Sequence, residues 1–225
     1  MVLLADKSLY DVWIRVDVDV SFLEKAEKDI GKILVSNNIA DSVLISIKRM
    51  PAKQMLVWKT KVKSDNDAYL KVLAEYSKDI SQVFKQVKDE TKAILQVLQK
   101  LDAGASEDDV DLIANSKWIR QNTLLEPLII TDDRDLLTCG HILTSFFGLT
   151  LGFLSCFELM RLAGLDDPFV KYCKYYKIES ECRPIENRWL KETLEVEISN
   201  SLRKAKIACH PSPRGTGSLL KTIRR

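Results

Sequence analysis

Short runs of apolar residues without polar alternation recur along the chain, and such runs are typical of strands buried on both faces of a parallel sheet. They cover Val2–Ala5 and residues 42–47, 128–130 and 149–155. Turns and helix-forming stretches separate them. The pattern therefore predicts an α/β protein whose central, mostly parallel sheet has about four short strands flanked by helices.

Between these runs, apolar residues recur three and four positions apart, which predicts helices. The predicted helices cover residues 22–36, 68–101 and 156–163, a stretch from residue 166, and residues 186–206. Ser21 and Glu24 have the spacing of a capping box at the start of the first. Residues 12–20 alternate Val and Asp in part, which indicates an edge strand or an extended connection.

The long helix over residues 68–101 has one polar position in its apolar seam, Glu90. An inward carboxylate is unusual because a charge is costly to bury without a partner. Two interpretations stand: the seam loosens and Glu90 reaches solvent, or Glu90 supplies an acid to a site. The first is the simpler of the two.

The order of elements predicts a division of the chain. Residues 1–165 form the α/β domain, including the long helix, and residues 166–207 form a helical extension. Residues 208–225 form a basic tail rich in Pro and Gly, which predicts disorder. Seven Lys or Arg and no Asp or Glu lie from residue 203 onward, whereas residues 1–202 hold 27 basic and 32 acidic side chains.

Two classes of protein are disfavoured by the sequence. Residues 142–157 are uncharged, but they are fewer than the roughly 20 residues of a membrane-spanning helix, so we expect no membrane segment. The five cysteines are scattered without a paired CxxC motif. This favours buried free thiols in a reducing compartment over a disulfide framework, and thus a cytoplasmic protein.

Carboxylates follow the first and third apolar runs, at Asp6 and at Asp133 and Asp135, and another lies at a helix start, at Asp111. In an open parallel sheet, ligands bind beyond the carboxyl ends of the strands. Carboxylates that converge there repel one another unless a cation neutralises them, and hard oxygen ligands suit Mg²⁺ or Mn²⁺. Each motif taken alone is also explained as a helix N-cap.

The order of these motifs resembles the PIN-domain nucleases, a family of ribonucleases that includes toxins of toxin–antitoxin pairs. The matching segments are Asp6 with Ser8, residues 111–114 (Asp-Leu-Ile-Ala), residues 131–136 (Thr-Asp-Asp-Arg-Asp-Leu), and the strand, Ser and Glu-containing helix of residues 149–158. The match is good over residues 105–165 and fair over residues 1–12. It rests on order and spacing.

The resemblance implies a metal-dependent endoribonuclease that cleaves single-stranded RNA. Asp6, Asp111 and Asp133 would bind Mg²⁺ or Mn²⁺ with Asp135 as a further catalytic acid, while Ser8 and Thr131 would orient the ligands. The basic tail would add affinity for the RNA backbone. The tail residues singled out for nucleic-acid contact are Arg203, Lys204, Lys206, Arg224 and Arg225.

One departure keeps a second function open. The family usually carries a Glu shortly after its second strand, whereas Lys48, Arg49 and Lys53 follow residue 47 here. Glu90 is the candidate substitute acid. Without one, the chain would be a catalytically silent PIN-like module that binds RNA or a protein partner, such as an antitoxin or a second copy of itself.

Overall fold

A computed structural model describes residues 1–101 and 103–176, and it contains one four-stranded sheet in which every strand is parallel to its neighbours. The strands are β1 (Val2–Ala5), β2 (Lys32–Leu34), β3 (Pro127–Ile130) and β4 (Phe153–Leu154), in the order β2-β1-β3-β4. Leu3 of β1 lies opposite Ile33 on one side and Leu128 on the other. The prediction of an α/β protein with four short parallel strands is confirmed.

Helices make up most of the remaining described chain. They are α1 (Lys7–Arg15), α2 (Val20–Asp29), α3 (Asn37–Ser46), α4 (Ala52–Tyr76), α5 (Ile80–Lys100), α6 (Glu107–Asn122), α7 (Arg134–Phe147), α8 (Cys156–Leu162) and α9 (Asp166–Tyr176), with a 3₁₀ turn at Ile47–Arg49. The predicted helices at residues 156–163 and from residue 166 are confirmed. The helix predicted at 186–206 and the tail at 208–225 lie outside the described residues.

The alternation of side chains along each strand divides the hydrophobic core between the two faces of the sheet. Leu3 and Ala5 of β1 pack with α1, α2, α3 and α8 on one face. Val2 and Leu4 pack with α5, α6 and α7 on the other. Because both faces are covered, the strands are apolar at nearly every position, and for this reason β1 and β3 could be recognised in the sequence.

The predicted second strand at residues 42–47 was wrong. These residues belong to α3 and to the 3₁₀ turn after it, and the second strand is β2, at Lys32–Leu34. A short apolar run fits a buried strand and a buried helix equally well. The strand begins directly after Gly31, where a Cβ atom would come within 2.7 Å of the backbone oxygen of Met1.

This correction also changes the first helices. The predicted helix at residues 22–36 is α2, which ends at Asp29 before β2, and its N-cap is Asp19 rather than Ser21. The side chain of Asp19 accepts a hydrogen bond from the backbone N–H of Ser21 (2.8 Å). Residues 12–20, predicted as extended, contain the end of α1, a turn and the start of α2.

The predicted helix at 68–101 is two helices. The break falls at residues 77–79, where Asp79 becomes the N-cap of α5 and accepts from the backbone N–H of Ser81 (2.9 Å). The buried seam of α5 runs through Val83, Val87, Thr91, Ile94 and Leu98, so Glu90 is outside it. The apolar spacing continues across the break and therefore predicted one helix. The N-cap at Asp79 nevertheless starts a new helix there.

The uncharged stretch at residues 142–157 is divided between the end of α7, the connection that begins at Gly148, β4 and the start of α8. Gly148 ends α7 in the left-handed conformation (φ 64°), as helix C-termini commonly do. In the described part of the chain, no helix is both long and apolar enough to cross a membrane.

Candidate active site

A cleft of about 280 Å³ opens beyond the carboxyl ends of β1 and β3, on the side where the sequence predicted a site. Carboxylates dominate its wall. They are Asp6, Asp11, Asp108, Asp109, Asp132 and Asp133. We call this cavity the acidic cleft.

Asp6 lies at the base of the acidic cleft, with 7% of its surface exposed. It is the N-cap of α1, and its Oδ1 accepts from the backbone N–H of Lys7 (2.6 Å). Its Oδ2 accepts from the hydroxyl of Thr131 (2.8 Å). Burial raises the pKa of Asp6, against the lowering effect of the hydrogen bonds from Ser8 and Thr131, and the charge of Asp133 raises it further.

Thr131 connects the ends of the two central strands. Its hydroxyl donates to Asp6 and accepts from the backbone N–H of Asp133 (2.9 Å). The Ser8 oxygen accepts from the backbone N–H of Asp132 (3.0 Å), which leaves the Ser8 hydrogen to bond with Thr131 Oγ1 at 3.3 Å. Ser8 and Thr131 thus lie beside Asp6 and orient it, in the places that the sequence predicted.

Asp133 lies across the acidic cleft and is exposed. It is the N-cap of α7, where its Oδ1 accepts from the backbone N–H of Asp135 (2.7 Å). The side chain of Asp135 is exposed as well, but this residue does not line the cleft. The structure therefore brings Asp133 to the site and leaves Asp135 beside it.

The acid that α6 contributes to the cleft differs from the one predicted. Asp108 and Asp109 line the acidic cleft, whereas Asp111 lines a separate cavity. Burial raises the pKa of Asp109, and the charges of Asp133 and Asp6 raise it as well, which places Asp109 in their electrostatic neighbourhood. Two positions along a helix are about 200° apart, so Asp109 and Asp111 face different sides.

Asp109 also has a structural role. It closes a capping box with Ser106: Asp109 Oδ2 accepts from the backbone N–H of Ser106 (3.0 Å), and Ser106 Oγ accepts from the backbone N–H of Asp109 (3.1 Å). The signal Ser-x-x-Asp was visible in the sequence. It fixes where α6 begins and therefore which of its acids points to the cleft.

Asp132 is a residue of the cleft that the sequence analysis passed over. Its Oδ1 accepts from the backbone N–H of Cys156 (3.1 Å) and its Oδ2 from the hydroxyl of Tyr172 (3.2 Å). Burial raises its pKa, against these hydrogen bonds. Asp132 thus attaches the end of β3 to α8 and α9.

Among the described residues, two cations also line the acidic cleft. Lys7 and Arg15 are eight residues apart on α1, with Asp11 between them, so one face of the helix carries all three. Within the described residues, neither Lys7 nor Arg15 forms an ion pair with a carboxylate. Their spacing was a signal that sequence reasoning could have used.

The structure places Glu90, the candidate substitute acid, outside the lining of the acidic cleft. Its Oε1 lies 2.5 Å from Nζ of Lys117 on α6, away from the acidic cleft. The position at which the PIN-domain family carries its Glu also changes, because the second strand is β2. The helix after β2, α3, carries one carboxylate, Asp41. Asp41 is exposed and does not line the cleft.

The fit of a metal ion depends on how many carboxylates it requires. In residues 1–101 and 103–176, no three side chains of the His, Cys, Asp and Glu types are placed to surround one ion. The expected trio of Asp6, Asp111 and Asp133 is therefore not assembled. Mg²⁺, however, commonly binds through one or two carboxylates, with water and substrate oxygens completing its coordination. Asp6 and Asp133, connected through Thr131, suit such a site.

Comparison with known proteins gives no family for the chain. No family model, curated protein or solved structure matches it. The tail residues expected to contact nucleic acid, Arg203, Lys204, Lys206, Arg224 and Arg225, lie outside the described residues.

Proposed function

We propose that the protein is a metal-dependent endoribonuclease with a PIN-like fold, and that it cleaves single-stranded RNA in the acidic cleft. The observation that carries the proposal is the charge of this cleft. Six carboxylates line it, and within the described residues its two cations are paired with none of them. Such an arrangement favours binding of an external cation, because mutual repulsion of the acids is otherwise uncompensated.

Asp6 and Asp133 are the residues that would hold Mg²⁺ or Mn²⁺, with Asp109 near enough to contribute through its charge. A divalent ion there would supply an activated water and stabilise the negative charge that develops on a phosphodiester. The Thr131 hydroxyl and the backbone N–H of Ser8 both donate to Asp6 Oδ2, so that its carboxylate needs little rearrangement on binding.

Lys7 and Arg15 would bind the RNA backbone at the same cleft. Both lack a carboxylate partner in the described residues, and an unpaired cation beside a metal site suits a phosphate. The basic residues from Arg203 onward would add affinity that does not depend on sequence and weakens with salt. Both contributions are electrostatic and need no base recognition.

The first experiment is thermal unfolding of the wild type with Mg²⁺ and with Mn²⁺. A cation bound by the folded state alone, at a hundredfold its Kd, adds about 2.7 kcal/mol to the free energy of unfolding. We expect this gain in the wild type and its loss in Asp133→Asn, in which the N-cap is preserved because Asn caps as well as Asp. Glu90→Gln, which removes an acid far from the cleft, should respond as the wild type does.

The second experiment is cleavage of a fluorescent single-stranded RNA under the same conditions. Cleavage should require the metal, and Asp6→Asn should abolish it while binding of the RNA persists. A metal response without cleavage of any RNA would reject the ribonuclease and retain the metal site.

The alternative function is a PIN-like module that binds RNA or a protein partner without cleaving. The absence of a three-residue ligand group among the described residues favours it. Under this alternative, neither cation changes the stability of the wild type, while single-stranded RNA binds equally well with and without a chelator.

A further inference from the structure

A second cavity, of about 260 Å³, lies on the opposite side of the α6 N-terminal turn from the acidic cleft. Residues 36–38 at the start of α3, Tyr69 of α4, Phe84 of α5, and Asp111 and Asn115 of α6 line it. We call it the α6 pocket. Its volume is below the roughly 300–1,000 Å³ typical of sites for drug-sized molecules, so it suits a smaller planar group.

The most buried charge in the α6 pocket is Asp111, which is 9% exposed. Its Oδ2 accepts from Ser36 Oγ (3.3 Å) and from Asn115 Nδ2 (3.1 Å). No described residue donates a hydrogen bond to its Oδ1. Asp111 lines the cavity, and this carboxylate oxygen is therefore available to a ligand that donates an N–H.

The neighbours of Asp111 hold this oxygen in place. Asn115 Nδ2 donates both to Oδ2 and to the backbone oxygen of Asp111 (2.8 Å), and Asn115 Oδ1 accepts from the Tyr69 hydroxyl (2.5 Å). Asn115 is thus fully used by the protein. A carboxylate fixed from two sides with one lone oxygen has the features of a preorganised acceptor.

Ser36 supports the same conclusion from another element. It occupies the N-cap position of α3 but makes no side-chain capping bond to that helix. Its hydroxyl goes to Asp111 instead, although an N-cap serine usually stabilises the helix it precedes. The pocket therefore combines an acceptor at Asp111 with Asn37 and Asn38, whose side-chain amides carry N–H donors, beside the half-buried ring of Phe84. The charged side chains of Lys88 and Glu107 line it as well.

We propose that the α6 pocket binds a guanine base of the RNA strand whose backbone lies in the acidic cleft. The Watson–Crick edge of guanine sets N–H donors at N1 and N2 beside the O6 acceptor, which matches Asp111 Oδ1 beside the amide donors. Uracil places its single N–H between two carbonyl oxygens, which a carboxylate repels. The aromatic ring of Phe84 supplies a face on which a base can stack.

This inference rests on the proposed function only in naming RNA as the source of the base. Residues 106, 108 and 109 line the acidic cleft, and residues 107 and 111 line the α6 pocket. One turn of α6 therefore separates the two cavities, which is close enough for one strand to reach both. The pocket would give the cleft a preference for the base next to the cleaved bond.

The test uses free nucleosides, which carry no phosphate and need no metal. Guanosine, adenosine and uridine are titrated against the metal-free, full-length wild type, and amide shifts are followed by NMR. Guanosine should bind at least about tenfold more tightly than uridine, as expected for the loss of one charge-assisted hydrogen bond. Shifts should concentrate in α3, α5 and α6.

Three variants separate this proposal from the proposed function. Asp111→Asn should weaken guanosine binding about tenfold and retain the Mn²⁺ response, whereas Asp133→Asn should retain guanosine binding and lose the Mn²⁺ response. Phe84→Leu keeps an apolar contact but removes the ring, and it should weaken guanosine binding severalfold. It also serves if Asp111→Asn does not fold, as judged by circular dichroism.

The proposal is overturned if millimolar guanosine gives no shifts in the wild type, or if uridine or adenosine binds as tightly as guanosine. It is also overturned if neither folded variant, Asp111→Asn or Phe84→Leu, weakens binding. None of these outcomes bears on the Mn²⁺ response, so the metal site and the base pocket stand or fall separately.

Discussion

Two clusters of charged residues, one between α2 and α4 and the other in the acidic cleft, are compensated in opposite ways. The first is a buried network in which Lys61 Nζ contacts Glu27 Oε2 (2.7 Å) and Asp65 Oδ1 (2.5 Å), and the Tyr10 hydroxyl donates to Asp65 (2.6 Å). Lys32 pairs with the remaining oxygen of Glu27 (2.9 Å). Two carboxylates thus meet two ammonium groups.

The acidic cleft, the second cluster, has no such balance. In the described part of the chain, its carboxylates outnumber its cations by six to two, and those cations make no ion pair. In the network, burial tends to raise the pKa of Glu27, yet its lysine partners bring that pKa below the usual value, whereas burial raises the pKa of Asp65 to about 6 in spite of Lys61. The pKa of Asp6 stays raised, because burial and Asp133 act on it without a cation. The contrast therefore lies in the ion pairing, and it agrees with our proposal that the network serves stability while the acidic cleft binds a cation.

Among the substitutions that test this contrast, Lys61→Met should lower the free energy of unfolding the most. The substitution leaves Glu27 and the fully buried Asp65 without their shared cation, and breaking a buried pair in this way costs about 3–5 kcal/mol. Urea unfolding should show the loss as a lower midpoint. The matched control, Lys59→Met, changes an exposed lysine of the same helix and should cost less than about 0.5 kcal/mol. Equal midpoints for the two variants would contradict a structural role for the network.

Asp111→Asn should remove part of the pH dependence of stability. Burial raises the pKa of Asp111 to about 6, against the hydrogen bond from Ser36, and the charges of Asp108 and Glu107 add to the increase. This folded-state pKa lies above the unfolded value of about 3.9. The stabilisation is therefore complete below about pH 4 and is lost as the pH rises through about 6.

Relative to Asp111→Asn, the wild type should lose on the order of 3 kcal/mol between pH 4 and pH 7, at about 1.4 kcal/mol per unit of pKa shift. Urea unfolding at four pH values measures the difference. Asp67→Asn, an exposed aspartate on α4, is the control and should follow the wild type. If the free energy of unfolding depended on pH in the same way for all three proteins, burial would not raise the pKa of Asp111.

Asp133→Asn should stabilise the protein when no divalent cation is present, by about 0.5–1 kcal/mol, opposite in sign to the effect of Lys61→Met. Asn retains the N-cap of α7, while one of the charges that repel Asp6 and Asp109 is removed. Thermal unfolding in the presence of a chelator measures it. Asp135→Asn, which loses a favourable charge in the first helical turn, should be slightly destabilising instead.

Glu90→Gln should have the smallest effect, within about 0.5 kcal/mol. The Glu90–Lys117 pair is partly exposed, and such pairs contribute little to stability. Denaturant unfolding gives the stability, and RNA cleavage by this variant should equal that of the wild type. A large loss of cleavage would return Glu90 to the catalytic site.

Much of the fold could be read from the sequence where the local signals agreed. Both faces of β1 and β3 are buried, so these strands are apolar throughout, and the capping box at Ser155 marked the start of α8. β2 has three residues, and Lys32 at its start is exposed, which left too little pattern to recognise. The apolar run in α3 fits a buried strand as well as a buried helix, so the prediction placed the second strand there. Its burial is decided by packing against α1 and α4 rather than by its composition.

The site was predicted in part for the same reason. Four of the predicted site residues come within three positions of the end of β1 or β3, and the strand end fixes where they lie. They are Asp6, Ser8, Thr131 and Asp133. Asp111 is not placed in this way: its direction depends on the register of α6, and one position along a helix turns a side chain by about 100°. The contribution of Asp109 therefore required the observed start of the helix.

The sequence by itself determined the apolar runs of β1 and β3, the acids that follow them and the excess of basic residues from Arg203 onward. Apolar runs, capping residues and charge are properties of residues that are close together along the chain, so they can be recognised without the fold. Only the tertiary structure decided that Lys61 neutralises Glu27 while no residue in the described chain pairs with the cations of the acidic cleft. Ion pairs join residues far apart along the chain, and the packing of helices against the sheet sets which charges meet.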